Sequence, residues 1–263
     1  MPLYQKDNRI IHHIHVPKCG GTSVFTLLEE NGWSRLNLPV PQSLEGEFHS
    51  EIKLFERNKE GWEPFYTAHE HAAVWREWFD GANIDPEFQF ATIRNPYDRF
   101  NSQLAQIARD PSFMKFPDGF KSGAPYTLPP EMINGLLRTI TPGTETYLHG
   151  DGRVSTSPLA AEAGWVLTTG NKGYGDNHYR PQVEFLSGGT HVYPLESTLD
   201  ALLKELTERD IITPSSKLKK LNKRPANLNV SIAWFLPEFE RTHQAFKAFY
   251  AEDFSRLRYS FQS

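Results

Sequence analysis

The chain has 263 residues, with 28 lysines and arginines against 32 aspartates and glutamates, and a formal net charge of −4. This acidic balance excludes a generally basic nucleic-acid-binding protein, and the single cysteine, Cys19, excludes a disulfide framework or a multi-cysteine zinc site. No apolar run approaches the roughly 20 residues of a membrane span, so we expect a soluble, cytoplasmic protein without a nucleic-acid partner.

The first clear element is a strand followed by a glycine loop and a helix. Ile10–Val16 is a β-prone run, and Gly20-Gly21 comes shortly after it. Either Thr22 or Ser23 is predicted as the N-cap of the helix, which ends at the Asn31-Gly32 signal. The chain therefore predicts a strand, a glycine turn and a helix in this order.

The rest of the chain continues the alternation of strands and helices. The further predicted strands are Pro64–Ala68, Phe88–Ile93 and Thr190–Leu195. The further predicted helices are Tyr97–Asp110, Leu199–Asp210 and Ser231–Leu257, the last interrupted by Pro237. This order favours an α/β protein with a central parallel sheet flanked by helices on both faces. Residues 111–175 are rich in Pro, Gly, Ser and Thr, and we expect an irregular insertion there in a single domain spanning 1–263.

The glycine loop has the composition of an anion-binding loop. Backbone N–H groups in a glycine turn and at a helix N-terminus attract anions. Lys18 adds a positive charge, and Thr22 and Ser23 add hydroxyl donors. The alternative is an ordinary turn with a solvated lysine. Lys18 precedes both glycines, whereas the lysine of a Walker A loop follows the last glycine, and this argues against an ordinary ATP or GTP hydrolase.

A second anion-binding element is predicted where the strand Phe88–Ile93 ends. Arg94 follows the strand, and Ser102 lies eight residues later, about two turns into the next helix. A guanidinium fork and a hydroxyl can hold one phosphate from two sides. The alternative is that Arg94 pairs with an acid such as Asp98 while Ser102 is exposed.

These two motifs together resemble those of a known enzyme family. Residues 17–23 (PKCGGTS) resemble the 5′-phosphosulfate loop of PAPS-dependent sulfotransferases, where PAPS is 3′-phosphoadenosine 5′-phosphosulfate, and residues 93–103 (IRNPYDRFNSQ) resemble their 3′-phosphate motif. Residues 178–182 (HYRPQ) resemble the His-x-x-Pro-Gln segment of Golgi carbohydrate sulfotransferases, and residues 249–259 (FYAEDFSRLRY) resemble the helix that closes those domains.

The resemblance implies a P-loop-like, three-layer α/β fold, PAPS as donor, PAP as product, no required metal, and a hydroxyl acceptor that is usually part of a glycan. Lys18 would also take part in catalysis. Near the end of the chain, Lys223-Arg224 matches the basic loop with which family members often close over the donor, although a solvated face or a site for an acidic polysaccharide or RNA would have the same composition. The implied donor-binding residues are Lys18, Cys19, Gly20, Gly21, Thr22, Ser23, Arg94, Ser102, Lys223 and Arg224.

Histidines supply the candidate general base. His69 and His71 follow the predicted strand Pro64–Ala68, and a neutral imidazole suits removal of a proton from a sugar hydroxyl. Heparan 2-O-sulfotransferases carry a similar His-x-His at this place in chain order. By that resemblance His71 is the first choice for the base and His69 the second, and the alternative is a pair of surface or capping histidines.

Two further histidines lie on the first predicted strand. His13 and His15 alternate along the first strand and are predicted to share one face, where a zinc site with His69 and His71 is a minor alternative to buried core histidines.

His178, Arg180 and Gln182 are predicted to contact the acceptor, and a structural loop fits this segment equally well.

Two rivals to the sulfotransferase prediction follow from the same motifs. A P-loop nucleotide kinase would need magnesium, but the chain has no lysine after the glycines of the loop. A non-catalytic nucleotide- or glycan-binding module of the same fold would bind PAP without turnover.

Overall fold

The computed structural model describes residues 3–36, 72–107, 126–127, 147–148, 154–155, 179–219, 230–231 and 237–260. Its chain divides into a first unit, Met1–Asn95 with Glu184–Lys223, and a second unit, Pro96–Val183 with Arg224–Ser263. The strands are β1 (Leu3–Lys6), β2 (Arg9–Ile14), β3 (Ser34–Leu36), β4 (Phe88–Ile93), β5 (Tyr126–Thr127), β6 (Tyr147–Leu148), β7 (Val154–Ser155), β8 (His191–Pro194) and β9 (Val230–Ser231). The α-helices are α1 (Gly21–Glu30), α2 (Ala72–Ala82), α3 (Pro96–Ile107), α4 (Leu199–Glu208), α5 (Glu240–Phe249) and α6 (Ala251–Arg256).

The first unit contains a five-stranded mixed sheet in the order β3-β1-β2-β4-β8. β2, β4 and β8 run parallel, with Ile14 opposite Ala91 and Ala91 opposite Val192. β1 runs antiparallel to both β2 and β3. The predicted α/β class is therefore confirmed, but the sheet is mixed rather than purely parallel, because the segment before β2 folds back as a hairpin through Asp7, which adopts a φ of 53°.

Helices flank this sheet on both faces, and the alternation of side chains along the strands decides which residues meet which helix. On one face Ile11 and Phe90 belong to a buried cluster with the apolar residues of α1 and α4. On the other face Ala91 packs in a cluster with Trp75 and Phe79 of α2. Each large apolar side chain buried in this way contributes about 1.5–3 kcal/mol, so the helices and the sheet fix each other's position.

The second unit buries a cluster of aromatic rings between α3, α5 and α6. Phe246 of α5 stacks on Tyr97 of α3 with 4.9 Å between ring centroids, and it meets Phe100 edge-on at 5.4 Å. Phe254 of α6 completes the contact with Tyr97 at 5.3 Å. Two short strand pairs, β5 with β9 and β6 with β7, belong to the same unit.

Most predicted elements are found close to their expected bounds. β4 matches the predicted strand Phe88–Ile93 at both ends, and β2 and β8 lie within about two residues of their predictions. α4 begins at the predicted Leu199, and α3 begins one residue before the predicted Tyr97. The predicted strand Pro64–Ala68 lies outside the described residues.

The predicted helix Ser231–Leu257 is wrong at its start, because Ser231 lies in a strand. Val230–Ser231 forms β9, residues 232–236 lie outside the described residues, and Pro237–Phe239 forms a short 3-10 turn that precedes α5. Pro237 suits this position because its fixed φ favours the start of a helix and disfavours its interior. The prediction of one domain with an insertion at 111–175 stays a prediction, because nearly all of that range lies outside the described residues. Among the helices that are described, none has both the length and the apolar character that crossing a bilayer would demand.

Candidate functional site

The glycine loop connects the end of β2 to the start of α1, as the sequence predicts. Two of its residues adopt left-handed backbone conformations, Lys18 with a φ of 66° and Gly20 with a φ of 81°. Gly20 is the N-cap residue of α1, so the prediction of Thr22 or Ser23 at this position is wrong. The physical reason is that the left-handed turn at Gly20 brings the chain into helical geometry at Gly21, before either hydroxyl is reached.

The start of α1 has the electrostatic character of an anion-binding site. Ser23 and Val24 donate their backbone N–H groups to the carbonyl oxygen of Gly20, at 3.0 and 3.2 Å. Among the described residues no side chain caps this end of the helix, and its first turn carries no acidic residue. A ten-residue helix concentrates partial positive charge at such an end. Thr22 is exposed beside it and Ser23 is half-buried.

Both glycines of the loop lie where a side chain would be strained or crowded. A β-carbon at Gly20 would lie 3.3 Å from Cδ2 of Leu195, and the positive φ of Gly20 disfavours any L side chain. A β-carbon at Gly21 would lie only 2.2 Å from Cδ2 and Nε2 of His15. Glycine is therefore favoured at position 20 by its backbone conformation and at position 21 by the space that His15 occupies.

The loops that follow three parallel strands are joined at one edge of the sheet. The hydroxyl of Thr92, in β4, donates a 2.5 Å hydrogen bond to the carbonyl oxygen of Cys19 in the glycine loop. Leu195, just after β8, donates its backbone N–H to the carbonyl oxygen of Ile93 at 2.9 Å. Asn95 donates its backbone N–H to the carboxylate of Glu196 at 2.7 Å. The carboxyl ends of β2, β4 and β8 thus form one edge, which is where open α/β sheets bind ligands.

Arg94 leaves the sheet at this edge, two residues after Thr92, and its side chain is half-buried. The backbone at Arg94 and the glycine loop are therefore connected through Thr92 and Cys19 within the first unit. Ser102 lies in α3 of the second unit and is also half-buried. The joint hold of Arg94 and Ser102 on one phosphate stays a prediction.

A column of three aromatic rings leads from the core to the glycine loop. His13 stacks on Phe90 with 5.0 Å between centroids, and His15 stacks on His13 at 6.1 Å with an interplanar angle of 19°. The prediction that His13 and His15 share a face is confirmed. His13 is 1% exposed, and neither of its ring nitrogens has a hydrogen-bond partner among the described residues. Burial lowers the pKa of His13 well below its usual value, so this imidazole is neutral.

His12 occupies the opposite face of β2. Its ring meets Trp75 edge-on at 4.9 Å and Phe79 at 4.8 Å. Burial lowers the pKa of His12 to about 3. Both histidines of β2 are therefore core residues. No group of three or more His, Cys, Asp or Glu side chains suited to a metal ion occurs in the part of the chain that is described.

The segment predicted to contact the acceptor packs, over its described residues, against α3 and α6 within the second unit. Gln182 is fully buried, and its Nε2 donates to the carboxylate of Asp253 at 3.3 Å. Asp253 also accepts the backbone N–H of Val183 at 2.9 Å. Arg180 is 7% exposed, and its carbonyl oxygen accepts a 2.8 Å bond from the buried guanidinium of Arg99. The contact of this segment with an acceptor stays a prediction.

Asp253 is the polar centre of this packing, and the sequence did not indicate its role beyond the resemblance of its helix. Burial raises the pKa of Asp253, while Arg99 and the two donors from Gln182 and Val183 oppose that shift. Asp253 is one of three charged residues among the six of its helix, with Glu252 and Arg256, so its composition did not mark it as the buried one.

Several predicted site residues lie outside the described ranges: His69, His71, His178, Lys223 and Arg224. Lys219 precedes Lys223 and Arg224 in the same basic stretch. It is described, and it forms an ion pair with Glu30 on α1.

Thr92 is the residue at the carboxyl edge of the sheet that sequence reasoning missed. Its only signal was a hydroxyl in a mostly apolar strand, and such residues are common in sheets.

Comparisons of the chain with protein-family models, with curated proteins and with solved structures found no match in any of the three. The function therefore has to be inferred from the residues of the site and their arrangement.

Proposed function

We propose that this chain transfers a sulfuryl group from PAPS to a hydroxyl group of an acceptor, and that the acceptor is a carbohydrate. One observation carries the proposal. The glycine loop that opens α1 is tied through the Thr92–Cys19 hydrogen bond to the strand that delivers Arg94. Two elements suited to anions thus belong to one edge of one sheet, as a nucleotide with phosphates on both sides of its ribose requires. A P-loop-like fold and a cytoplasmic location belong to the same proposal.

The glycine loop fits the 5′-phosphosulfate end of the donor. Glycine at positions 20 and 21 places no side chain of its own between the loop backbone and a bound anion. Lys18, Cys19 and the hydroxyls of Thr22 and Ser23 complete this set. Arg94 and Ser102 would hold the 3′-phosphate, and Lys223 with Arg224 would close over the donor. Charge-assisted hydrogen bonds of this kind contribute about 1.5–3 kcal/mol each.

The chemical step needs a base and a stabilised leaving group. In the proposed reaction the acceptor oxygen forms a bond to sulfur, and the bond between sulfur and the 5′-phosphate oxygen breaks. His71, or His69 as second choice, accepts the acceptor's proton. Lys18 neutralises the charge that develops on the released phosphate. Positioning and electrostatics then supply most of the catalysis, as in phosphoryl transfer. His178, Arg180 and Gln182 are proposed to orient the acceptor.

The test is to incubate the purified protein with PAPS carrying radiolabelled sulfate and a panel of glycans, and to follow label transfer. In parallel, calorimetry compares the affinities of PAP, ATP and ATP with magnesium. We expect label in a glycan, and tighter binding of PAP than of ATP. Lys18→Ala should abolish transfer, whereas Lys204→Ala, on the exposed face of α4, should leave it unchanged.

Each rival has its own outcome in this experiment. Magnesium-dependent binding of ATP that is tighter than binding of PAP would reject the proposal in favour of a nucleotide kinase. PAP binding with no label transfer to any member of the panel, unaffected by alanine at His69 and His71, would indicate a non-catalytic binding module.

A further inference from the structure

The close approach of His15 to Gly21 is the tightest steric relationship at the glycine loop. A β-carbon at position 21 would lie 2.2 Å from both Cδ2 and Nε2 of His15 and 3.0 Å from Cε1. The whole edge of the imidazole therefore occupies the space in which an alanine methyl group would lie. The ring would have to move by roughly 1.3 Å to restore an ordinary contact of about 3.5 Å.

The His15 ring is half-buried and lies at the outer end of a column of rings. It stacks on His13, which is 1% exposed, and His13 stacks on Phe90, which is fully buried. Close-packed interiors resist displacement of a ring by even a methyl group's width. Core packing is thus transmitted along this column to the first residue of α1.

We propose that His15 is a positioning residue of the anion-binding loop, and that Gly21 is glycine in order to receive its imidazole. The inference rests on the proposed function, because it assigns His15 a task in presenting the backbone N–H groups of Gly20, Gly21 and Thr22 to the donor. This inference gives a different physical reason for glycine at position 21. The sequence places that glycine in an anion-binding turn, whereas the structure shows the His15 side chain against it.

A double-mutant cycle tests the pairing, with His15→Ala, Gly21→Ala and the double variant His15→Ala/Gly21→Ala. Gly188→Ala is the matched control, because a β-carbon there would meet nothing within 4 Å. Three quantities are measured for each protein: the Kd for PAP, the urea midpoint of unfolding, and the amide ¹H–¹⁵N shifts of Gly20, Gly21 and Thr22.

We expect Gly21→Ala alone to raise the Kd for PAP at least about tenfold, because the displaced ring moves the loop. In the double variant, the methyl group enters the space left by the imidazole, so its Kd should lie within about threefold of that of His15→Ala. The same coupling should appear in the amide shifts of the ligand-free proteins. Gly188→Ala should match the wild-type protein in Kd and in shifts.

The outcomes separate this inference from the proposed function. If the two effects on Kd simply multiply, or if the variants change only the urea midpoint while Kd stays constant, the positioning role is rejected. If the wild-type protein binds no PAP, the proposed function is rejected. In that case the amide shifts of the ligand-free variants still decide whether His15 and Gly21 set the loop together.

Discussion

The hydroxyl of Thr92 donates a 2.5 Å hydrogen bond to the carbonyl oxygen of Cys19, and both residues are buried. These residues lie 73 positions apart in the chain, one in a parallel strand and the other in the glycine loop. The bond joins the two segments in which the sequence predicts anion-binding groups. It therefore gives the proposed donor site a defined geometry before any ligand arrives.

Thr92→Val removes this bond while keeping the size and β-branching of the side chain. We expect the free energy of unfolding to fall by about 1–3 kcal/mol, because a buried polar contact is lost. The Kd for PAP should rise as the loop loses its tie to β4. Urea denaturation measures the change in stability, and calorimetry measures the change in Kd.

The control is Thr207→Val, which removes a hydroxyl bonded to the Leu203 carbonyl within α4. Unchanged PAP binding is expected for this variant. Equal losses of PAP affinity in both variants would contradict a specific role for Thr92.

Lys18→Gly should separate stability from activity. Lys18 adopts a φ of 66°, a conformation that costs a non-glycine residue about 1–2 kcal/mol. We therefore expect Lys18→Gly to be more stable than Lys18→Ala by about 1 kcal/mol in urea denaturation, while neither variant transfers radiolabelled sulfate.

The comparison for Lys18 is Asn83, which has a φ of 51° at the end of α2. Asn83→Gly and Asn83→Ala should show a similar difference in stability with normal transfer. Wild-type rates of transfer by Lys18→Gly would exclude the ammonium group from the reaction.

Arg94→Ala is expected to affect the two ends of the donor differently. Loss of a charge-assisted contact of about 1.5–3 kcal/mol corresponds to a 10- to 150-fold higher Kd for PAP. Adenosine 5′-phosphosulfate lacks the 3′-phosphate, so its Kd should change less than about threefold. Calorimetry on both ligands gives the comparison, with Arg256→Ala on the exposed surface of α6 as control. An equal loss of affinity for both ligands would remove Arg94 from the 3′-phosphate site.

The buried histidines of β2 predict a pH dependence of stability. The pKa of His12 is lowered to about 3 and that of His13 is also lowered, in both cases chiefly by burial. Below pH 6.5 the unfolded chain therefore binds protons that the folded chain does not. The free energy of unfolding should be greatest above pH 6.5 and fall as the pH decreases toward 3, by up to about 1.4 kcal/mol per pH unit for each histidine.

His13→Leu isolates one of these contributions. The two ring nitrogens of His13 have no hydrogen-bond partner among the described residues, so an apolar replacement should cost little stability at pH 8. It should also reduce the dependence of the free energy of unfolding on pH below pH 6.5. Phe90→Leu, in the same column of rings, should lower stability about equally at every pH. Urea denaturation at several pH values measures both, and an unchanged slope in His13→Leu would contradict the neutral, buried assignment.

The contact between Gln182 and Asp253 predicts a pH effect of the opposite sign. In Gln182→Glu, two carboxyl groups share a buried site and cannot both ionise, which raises the pKa of Asp253 further. Stability relative to the wild-type protein should then fall as the pH rises from 4 to 7. Gln182→Met, similar in size and uncharged, should lower stability without adding that dependence. Thermal unfolding at the two pH values distinguishes them.

Local signals in the sequence were sufficient for the elements that carry the anion-binding groups. The run Phe88–Ile93 is β-prone, with four apolar residues beside Gln89 and Thr92, and the Asn31-Gly32 pair ends α1 as predicted, with Gly32 at a φ of 83°. The hairpin partner β1 was missed because Leu3–Lys6 is short and half-polar, and the Asp7-Asn8 turn between the strands was its only indication. Short strands of this kind are stabilised by their neighbours rather than by their own composition.

The sequence by itself determined the composition of the loop, the alternation that sets His13 and His15 on one face, and the α/β order of the first unit, because each depends on residues close together in the chain. Only the tertiary structure decided that Gly20 rather than Thr22 opens α1, that His15 lies against Gly21, and that Thr92 joins β4 to Cys19. Those relationships depend on packing between segments distant in sequence, and spacing along a chain carries no information about which atoms such packing brings within reach.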